Sequence, residues 1–173
     1  MKKVIVIGLS GLGKSTLSKK IANHCRLHHI ELDSIFWLKG WHKSTDEDFL
    51  RKLNTELDDS INGWVVDGFY GQKQGERPFE EADTIIYLDI PLVKSVYRLL
   101  LRGTSRILRR QRLWGKCQET PMGLLKLSTL VVKWRPGLQQ KMSSIRNDPR
   151  YQHIDFHKFI SNREADAWLS RLE

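Results

Sequence analysis

Two hydrophobic spacings take turns along the chain. Lys3 to Ile7 reads KVIVI, a continuous β-branched run ended by Gly8, the pattern of a strand buried on both faces of a parallel sheet. Beyond the glycines that follow, Leu17 and Ile21 stand four apart, as on one face of a helix, and Ile30-Glu31-Leu32 is a short second strand. Ser44 followed by Glu47 makes a capping box, after which Phe49, Leu50, Leu53, Leu57 and Ile61 repeat at helical spacing until Asn62-Gly63. Trp64-Val65-Val66 and Thr84 to Leu88 are two further buried strands, and Pro91 opens a helix carrying Leu92, Val96, Leu99 and Leu100. From Arg98 to Arg112 the chain is dense in arginine and interrupted by Gly103 and Thr104, which predicts a basic helix end followed by a mobile loop. Two helices follow, Met122 to Trp134 and Pro136 to Asn147, the second stopped by Pro149. His153 to Phe156 is a weak last strand. Ser161 with Glu164 caps a closing helix whose inner face is Ala165, Trp168, Leu169 and Leu172. Alternating strands and helices without an internal repeat predict an α/β fold, a parallel sheet covered by helices on both sides.

Length and composition narrow this picture. The 173 residues suit one domain with one core, and 40% hydrophobic with 28% charged residues excludes a disordered or fibrous chain. The net charge of +9 favours polyanionic partners, whether phosphates, nucleotides or nucleic acid. The apolar run Val4 to Ile7 is far short of the roughly 18 residues a membrane span needs. Met1-Lys2-Lys3 resembles the start of an export signal but lacks the apolar stretch and cleavage site behind it. The two cysteines, Cys25 and Cys117, lie far apart and suit a reduced protein, so the expected location is the cytoplasm.

The candidate chemistry begins at Gly8-Leu9-Ser10-Gly11-Leu12-Gly13-Lys14-Ser15, which matches G-x-x-x-x-G-K-[ST] between a predicted strand and a predicted helix. Glycines let successive backbone N–H groups converge on phosphate oxygens at the helix start, Lys14 reaches the β and γ phosphates, and Ser15 offers a hydroxyl to Mg²⁺. Gly8, Ser10, Gly11, Leu12, Gly13, Lys14, Ser15 and Thr16 are therefore the candidate nucleotide-binding residues, with ATP as the expected nucleotide. A dinucleotide fingerprint fits poorly, because the glycines fall as G-x-x-G-x-G and the Lys-Ser pair belongs to triphosphate sites. Asp67 should project from the carboxyl end of a central strand and, with Ser15, is the candidate for holding the Mg²⁺ water shell; the alternative is a plain Asp-Gly turn. Asp89 is expected to cap the helix that follows it. His24, Cys25, His28 and His29 lack a second ligand pair at zinc spacing and read as structural.

The Gly8 to Ser15 loop, Val65-Val66-Asp67-Gly68-Phe69, Ile85-Ile86-Tyr87-Leu88-Asp89-Ile90-Pro91 and the arginine-rich stretch, in that order, resemble the adenylate-kinase-like branch of the P-loop kinases. Leu32-Asp33-Ser34, Gly40-Trp41, Asp67-Gly68 with Tyr70, and the segment from Gly115 to Pro121 resemble more closely the DNA topology modulation protein family, small proteins similar to nucleotide kinases. The resemblance covers nearly the whole chain. It implies a P-loop NTPase fold with a five-stranded parallel core, an acceptor-binding region at about residues 33–62 and an arginine-bearing helical lid at about 102–121. It also places Asp33 where related kinases contact the acceptor hydroxyl, and a carboxylate at a strand end can orient or deprotonate such an oxygen; a turn with Ser34 is the structural alternative. Phe36, Trp37 and Trp41 either stack an acceptor ring or cover the core. Adenylate kinases continue their Asp-Gly-Phe with Pro-Arg, whereas this chain has Tyr70-Gly71, so Lys73 or Arg77 would have to replace the missing cation, or the acceptor carries no phosphate. Arg102, Arg106, Arg109 and Arg110 are the candidate lid arginines that stabilise a transferring phosphoryl group, with Arg98 belonging to the preceding helix. The resulting expectation is an ATP- and Mg²⁺-dependent phosphotransferase in which Lys14, Asp33 and the lid arginines are catalytic. Its alternatives are a nucleotide-regulated nucleic-acid-binding protein, using the same basic run, and a slow ATPase.

Overall fold

The computed structural model describes residues 1–114 and 116–172, so Gly115, which opens the last segment of the family resemblance, lies outside the described residues. In chain order the elements are β1 (Lys3–Gly8), α1 (Lys14–Cys25), β2 (His28–Glu31), α2 (Leu32–Phe36), α3 (Asp46–Asp58), β3 (Trp64–Asp67), α4 (Arg77–Glu81) and β4 (Thr84–Leu88). They continue with α5 (Leu92–Leu108), a two-stranded antiparallel hairpin of β5 (Arg112–Leu113) and β6 (Cys117–Gln118), α6 (Pro121–Asn147), β7 (Asp155–Phe159) and α7 (Asn162–Leu169). Short 3-10 turns occupy Lys39–Trp41, Gly71–Gln74 and Pro149–Tyr151.

Five strands form one parallel sheet in the order β2-β3-β1-β4-β7. Strand side chains alternate between faces, and the two core clusters follow that alternation. Ile5, Ile7, Trp64, Val66 and Ile85 join Phe36, Phe49, Leu53 and Met142 on one face. Val4, Val6, Val65 and Ile86 join Leu17, Ile21, Leu99, Val131 and Ala165 on the other. Both faces are thus closed by helices, as the continuous apolar runs of β1 and β4 require. Among the described residues no helix is long and apolar enough to cross a membrane.

Several boundaries differ from the sequence expectation, each for a local reason. The cap of α3 is Thr45, whose hydroxyl accepts from the Asp48 backbone at 3.1 Å, while the backbone N–H of Ser44 donates to the Phe36 carbonyl. Asp46, Glu47 and Asp48 then complement the helix dipole. Ile61 is 95% exposed beyond the helix end at Asp58, and Leu172 is exposed beyond α7. The second strand starts at His28 and yields to α2 at Leu32. The last strand runs Asp155–Phe159, because its register against β4 pairs Thr84 with Asp155 and Leu88 with Phe159.

The arginine-rich stretch is a helix end followed by a non-helical connection, but the helix runs on through Gly103 and Thr104 to Leu108. Gly103 is buried in α5 and its open side faces Leu124 of α6, so the glycine permits a close helix contact instead of ending the helix. Likewise α6 is one helix through Pro136, not two. A proline inside a helix costs about 3 kcal/mol. On its amino side α6 buries Leu124 and Val131 and on its carboxyl side Met142 and Ile145, each contributing roughly 1.5–3 kcal/mol, so burial on both flanks outweighs the proline.

Asp89 does not cap α5, whose N-cap is Pro91 without a side-chain bond. It accepts instead from Arg135 Nη2 (3.2 Å) and Gln139 Nε2 (3.0 Å) of α6 and from Lys158 Nζ (2.8 Å) of β7, tying the long helix to the carboxyl edge of the sheet. Burial alone would raise its pKa, but the bonds from Lys158 and Gln139 and the charges of Lys158 and Arg135 win and hold the carboxyl below its ordinary range. A carboxyl depressed in the folded state stabilises the fold above its ordinary pKa near 4 and loses that stabilisation as pH falls through the lower folded value. Urea unfolding at pH 7 and pH 3 tests this: Asp89→Asn should lower the pH 7 midpoint and give a smaller drop between the two pH values than the parent chain shows.

Candidate functional site

The carboxyl ends of β1, β3 and β4 converge on the loop that leaves Gly8. Gly11 and Gly13 take left-handed backbone angles (φ 84° and 90°), and a Cβ on Gly11 would stand 2.6 Å from the Ser95 carbonyl. Only glycine fits there. Gly13 is the N-cap of α1, and no side chain caps that helix, so its first backbone N–H groups are left for a ligand at the positive end of the helix dipole. Lys14 lies back over the loop, its Nζ donating to the Leu9 carbonyl at 3.2 Å.

Two residues that the sequence did not mark hold this loop in place. The Ser95 hydroxyl of α5 donates to the Ser10 carbonyl at 2.7 Å. Asn162, at the start of α7, is satisfied when its amide nitrogen donates to the Leu12 carbonyl (2.8 Å) and its oxygen accepts from Arg98. A cavity of about 550 Å³ opens between these parts, lined by Gly11, Gly13, Thr16, Lys20, Arg98, Leu101, Arg102 and Asn162. Arg98 therefore faces the same space as Arg102 one helical turn on, a spacing visible in the sequence; nothing in the sequence singles out Asn162.

Asp67 is 3% exposed at the end of β3, paired in register with Val6 of β1 just before the loop. Neither of its carboxylate oxygens has a hydrogen-bond partner among the described residues, and His29 Nε2 stands 3.6 Å from one of them, outside hydrogen-bond range. A buried carboxylate left without a hydrogen bond carries a desolvation cost of about 1–3 kcal/mol or more. A site that gathers phosphates and a divalent cation supplies what it lacks, so the residues present fit Mg²⁺.

Asp33 occupies the first turn of α2 and is exposed, with the Tyr70 hydroxyl donating to its Oδ1 at 2.5 Å. Phe36 is 4% exposed and belongs to the core, whereas Trp37 and Trp41 form the rim, 5.4 Å apart and T-shaped. Lys73 is paired with Asp46, and Arg77 with Asp58 (2.5 Å) and Glu81 (2.6 Å). Of the arginines expected in a lid, Arg102 lines the loop cavity. Desolvation and then the charge of Arg106 lower its pKa, opposed by Glu119, Asp33 and Glu31. Arg106 pairs with Glu119 at 3.3 Å, while Arg109 and Arg110 are exposed between α5 and the hairpin. Among the described residues no group of three or more His, Cys, Asp or Glu side chains could hold a metal ion.

The hairpin reaches across to the segment after α2. Trp41 Nε1 donates to the Gln118 carbonyl (2.7 Å), Cys117 Sγ donates to the Leu38 carbonyl (3.1 Å), Lys116 Nζ donates to the Ser34 carbonyl (3.3 Å), and the Trp41 and Trp114 rings meet at 6.2 Å. Both tryptophans hold left-handed backbone angles (φ 64° and 50°), a conformation that side chains disfavour, so this bridge carries strain that its contacts offset. Trp41→Phe keeps a ring but removes the indole donor, a bond worth about 1 kcal/mol. Amide exchange at Arg112, Leu113, Cys117 and Gln118 should then quicken by about fivefold while exchange in β1 is unchanged.

Comparison with known proteins agrees with this layout. The NB-ARC domain family matches residues 1–68, the stretch from β1 through the phosphate loop to Asp67-Gly68. Over 95% of its length the chain is 26% identical to threonine synthase-like 1 of Homo sapiens and 25% identical to that of Pongo abelii, and it spans about a quarter of those relatives (24%). Three kinases resemble it in structure. Shikimate kinase from Acinetobacter baumannii in complex with shikimate has a TM-score of 0.56 at 15% identity, with 99% of this chain and 90% of that one covered. A sugar kinase from Janibacter sp. HTCC2649 reaches 0.54 at 16% identity (99% and 92% covered), and a gluconokinase from Sinorhizobium meliloti 1021 reaches 0.54 at 18% (99% and 93%). The chain has the α/β fold of the P-loop NTPases, in the form that these small-molecule kinases share.

Proposed function

We propose that this protein is an ATP-dependent kinase for a hydroxylated small molecule. The observation that carries the reading is the uncapped, glycine-cradled start of α1 with the Asp67 carboxylate buried without a hydrogen bond at the end of β3, an arrangement suited to a triphosphate and its cation. In this reading the loop from Gly8 to Thr16 binds the phosphates by backbone N–H groups, and Lys14 leaves its resting bond to Leu9 to neutralise the β and γ phosphates. Ser15 and Asp67 are the residues that would hold Mg²⁺. Bound there, the ion would supply neutralisation of phosphate charge. The cavity walled by Arg98, Arg102 and Asn162 takes the rest of the nucleotide.

Asp33 orients the attacking hydroxyl, and Arg102 and Arg106, with Arg109 and Arg110 on closure, stabilise the charge that spreads over the transferring group. Residues 33–62 then form the acceptor region and 102–121 the lid of a single kinase domain in the cytoplasm. The finer likeness to adenylate kinases and to the DNA topology modulation family belongs to this proposal. The nucleic-acid alternative draws on the same arginines, and the engagement of Arg102 with the loop cavity and of Arg106 with Glu119 supports the kinase reading over it.

Lys14→Ala should lower acceptor-stimulated ADP formation by about 10²- to 10³-fold, with a melting temperature within a few degrees of the parent chain. ADP release measured across nucleosides, nucleoside monophosphates, sugars and polyols checks this. Undiminished turnover in the variant removes the phosphate loop from the reaction.

A further inference from the structure

The acceptor end of the site offers different chemistry from its phosphate end. Asp33 stands exposed with one carboxylate oxygen taken by Tyr70, and its other oxygen has no protein donor among the described residues. An ionised carboxylate only accepts hydrogen bonds, so what completes it is a donor such as a hydroxyl. The Tyr70 ring packs on Phe36 (4.4 Å between centroids) and Phe49 (5.2 Å), and its hydroxyl therefore meets Asp33 from a fixed platform. Burial, and then the Asp33 charge, raise the Tyr70 phenol above its ordinary value, so at neutral pH it is a neutral donor. Half-buried Trp37, the C-cap of α2 and edge-on to Phe36 at 5.0 Å, adds an aromatic surface one turn on from Asp33.

Most cations of this region are already engaged; Arg102, whose charge acts on Asp33 and Glu31, has no ion pair among the described residues and lines the phosphate-loop cavity. Lys73 is tied to Asp46, Arg77 to Asp58 and Glu81, Arg51 and Lys52 to Asp48, Arg106 to Glu119, and Lys116 to the Ser34 carbonyl. Lys39 and Lys43 are exposed around Trp41. A phosphate on the acceptor would bring a charge of about −1.5 to −2 next to the open oxygen of Asp33.

Building on the kinase reading above, we infer that the acceptor is an uncharged polyhydroxylated molecule, a sugar, polyol or nucleoside without a phosphate, held by the open oxygen of Asp33 against Trp37, with Tyr70 positioning Asp33. In the transfer, an acceptor hydroxyl oxygen forms the new bond to the γ-phosphorus. The bond from that phosphorus to the bridging oxygen breaks, its electron pair leaving with ADP, and the hydroxyl proton passes to Asp33 and on to water.

Titration calorimetry on the full chain, with Mg²⁺ and a non-hydrolysable ATP analogue, tests the cradle without turnover. The probes are glucose, ribose, glycerol, adenosine and thymidine, each beside its phosphomonoester. At least one neutral probe should bind saturably and tenfold or more tighter than its phosphomonoester, and Asp33→Ala should abolish that binding. Tyr70→Phe should weaken the same probe five- to tenfold while the affinity for the ATP analogue and the melting temperature stay unchanged. Tighter binding of the phosphomonoesters, or no saturable binding of any neutral probe, overturns the inference. A Tyr70→Phe variant that melts earlier yet binds the probe normally reduces Tyr70 to a packing residue and overturns its part. A neutral probe that binds through Asp33 but receives no phosphate from ATP refutes the kinase reading and leaves the uncharged-ligand cradle standing.

Discussion

The structure depends on the burial of β1 between β3 and β4. Val4, Ile5, Val6 and Ile7 have no solvent exposure, and parallel partners on both sides satisfy the backbone of the strand. Only a strand so fixed can deliver Gly8 at the carboxyl edge of the sheet while its neighbours deliver Asp67 and Leu88 to the same edge. In the loop that follows, the Ser95 carbonyl of α5 leaves no room for a side chain on Gly11, and Gly13 is kept by its left-handed backbone angle. The helix start it creates keeps its backbone donors uncapped and so remains able to receive phosphate.

Charge is divided across this frame. Basic side chains of α5 border the phosphate loop, while carboxylates of α3 and α4 neutralise Arg51, Lys52, Lys73 and Arg77. The other half of the cleft presents Asp33, Tyr70 and tryptophan edges, and the hairpin after α5 joins the halves through strained but bonded tryptophans.

Much of this was legible in the linear chain. The phosphate loop is a local motif whose flanking strand and helix are also local, and the continuous apolar runs placed β1, β3 and β4, while β2 and β7 were found displaced by about two residues. The boundaries that moved did so because of partners distant in sequence. Ser44 was a weaker cap than Thr45 because its backbone N–H is drawn to the Phe36 carbonyl. Gly103 and Pro136 looked like breaks until Leu124, Met142 and Ile145 found their places. Asp89, three residues before a helix, looked like a cap, yet Arg135, Gln139 and Lys158 outbid the helix end for it.

The sequence by itself determined the α/β class, the strand that carries the phosphate loop, and the candidates Lys14, Ser15, Asp67, Asp33 and the arginines, since each rests on residues near in the chain. Tertiary structure alone decided that Tyr70 meets Asp33, that Asn162 sits between Leu12 and Arg98, and that Asp67 is buried without a hydrogen bond. It also decided which cations are already spent. The physical reason is that secondary structure and phosphate-loop geometry are short-range properties of the backbone. Pairing of charges and completion of hydrogen bonds are settled between segments up to 150 residues apart, as from Leu12 to Asn162, and only the sheet order brings those together.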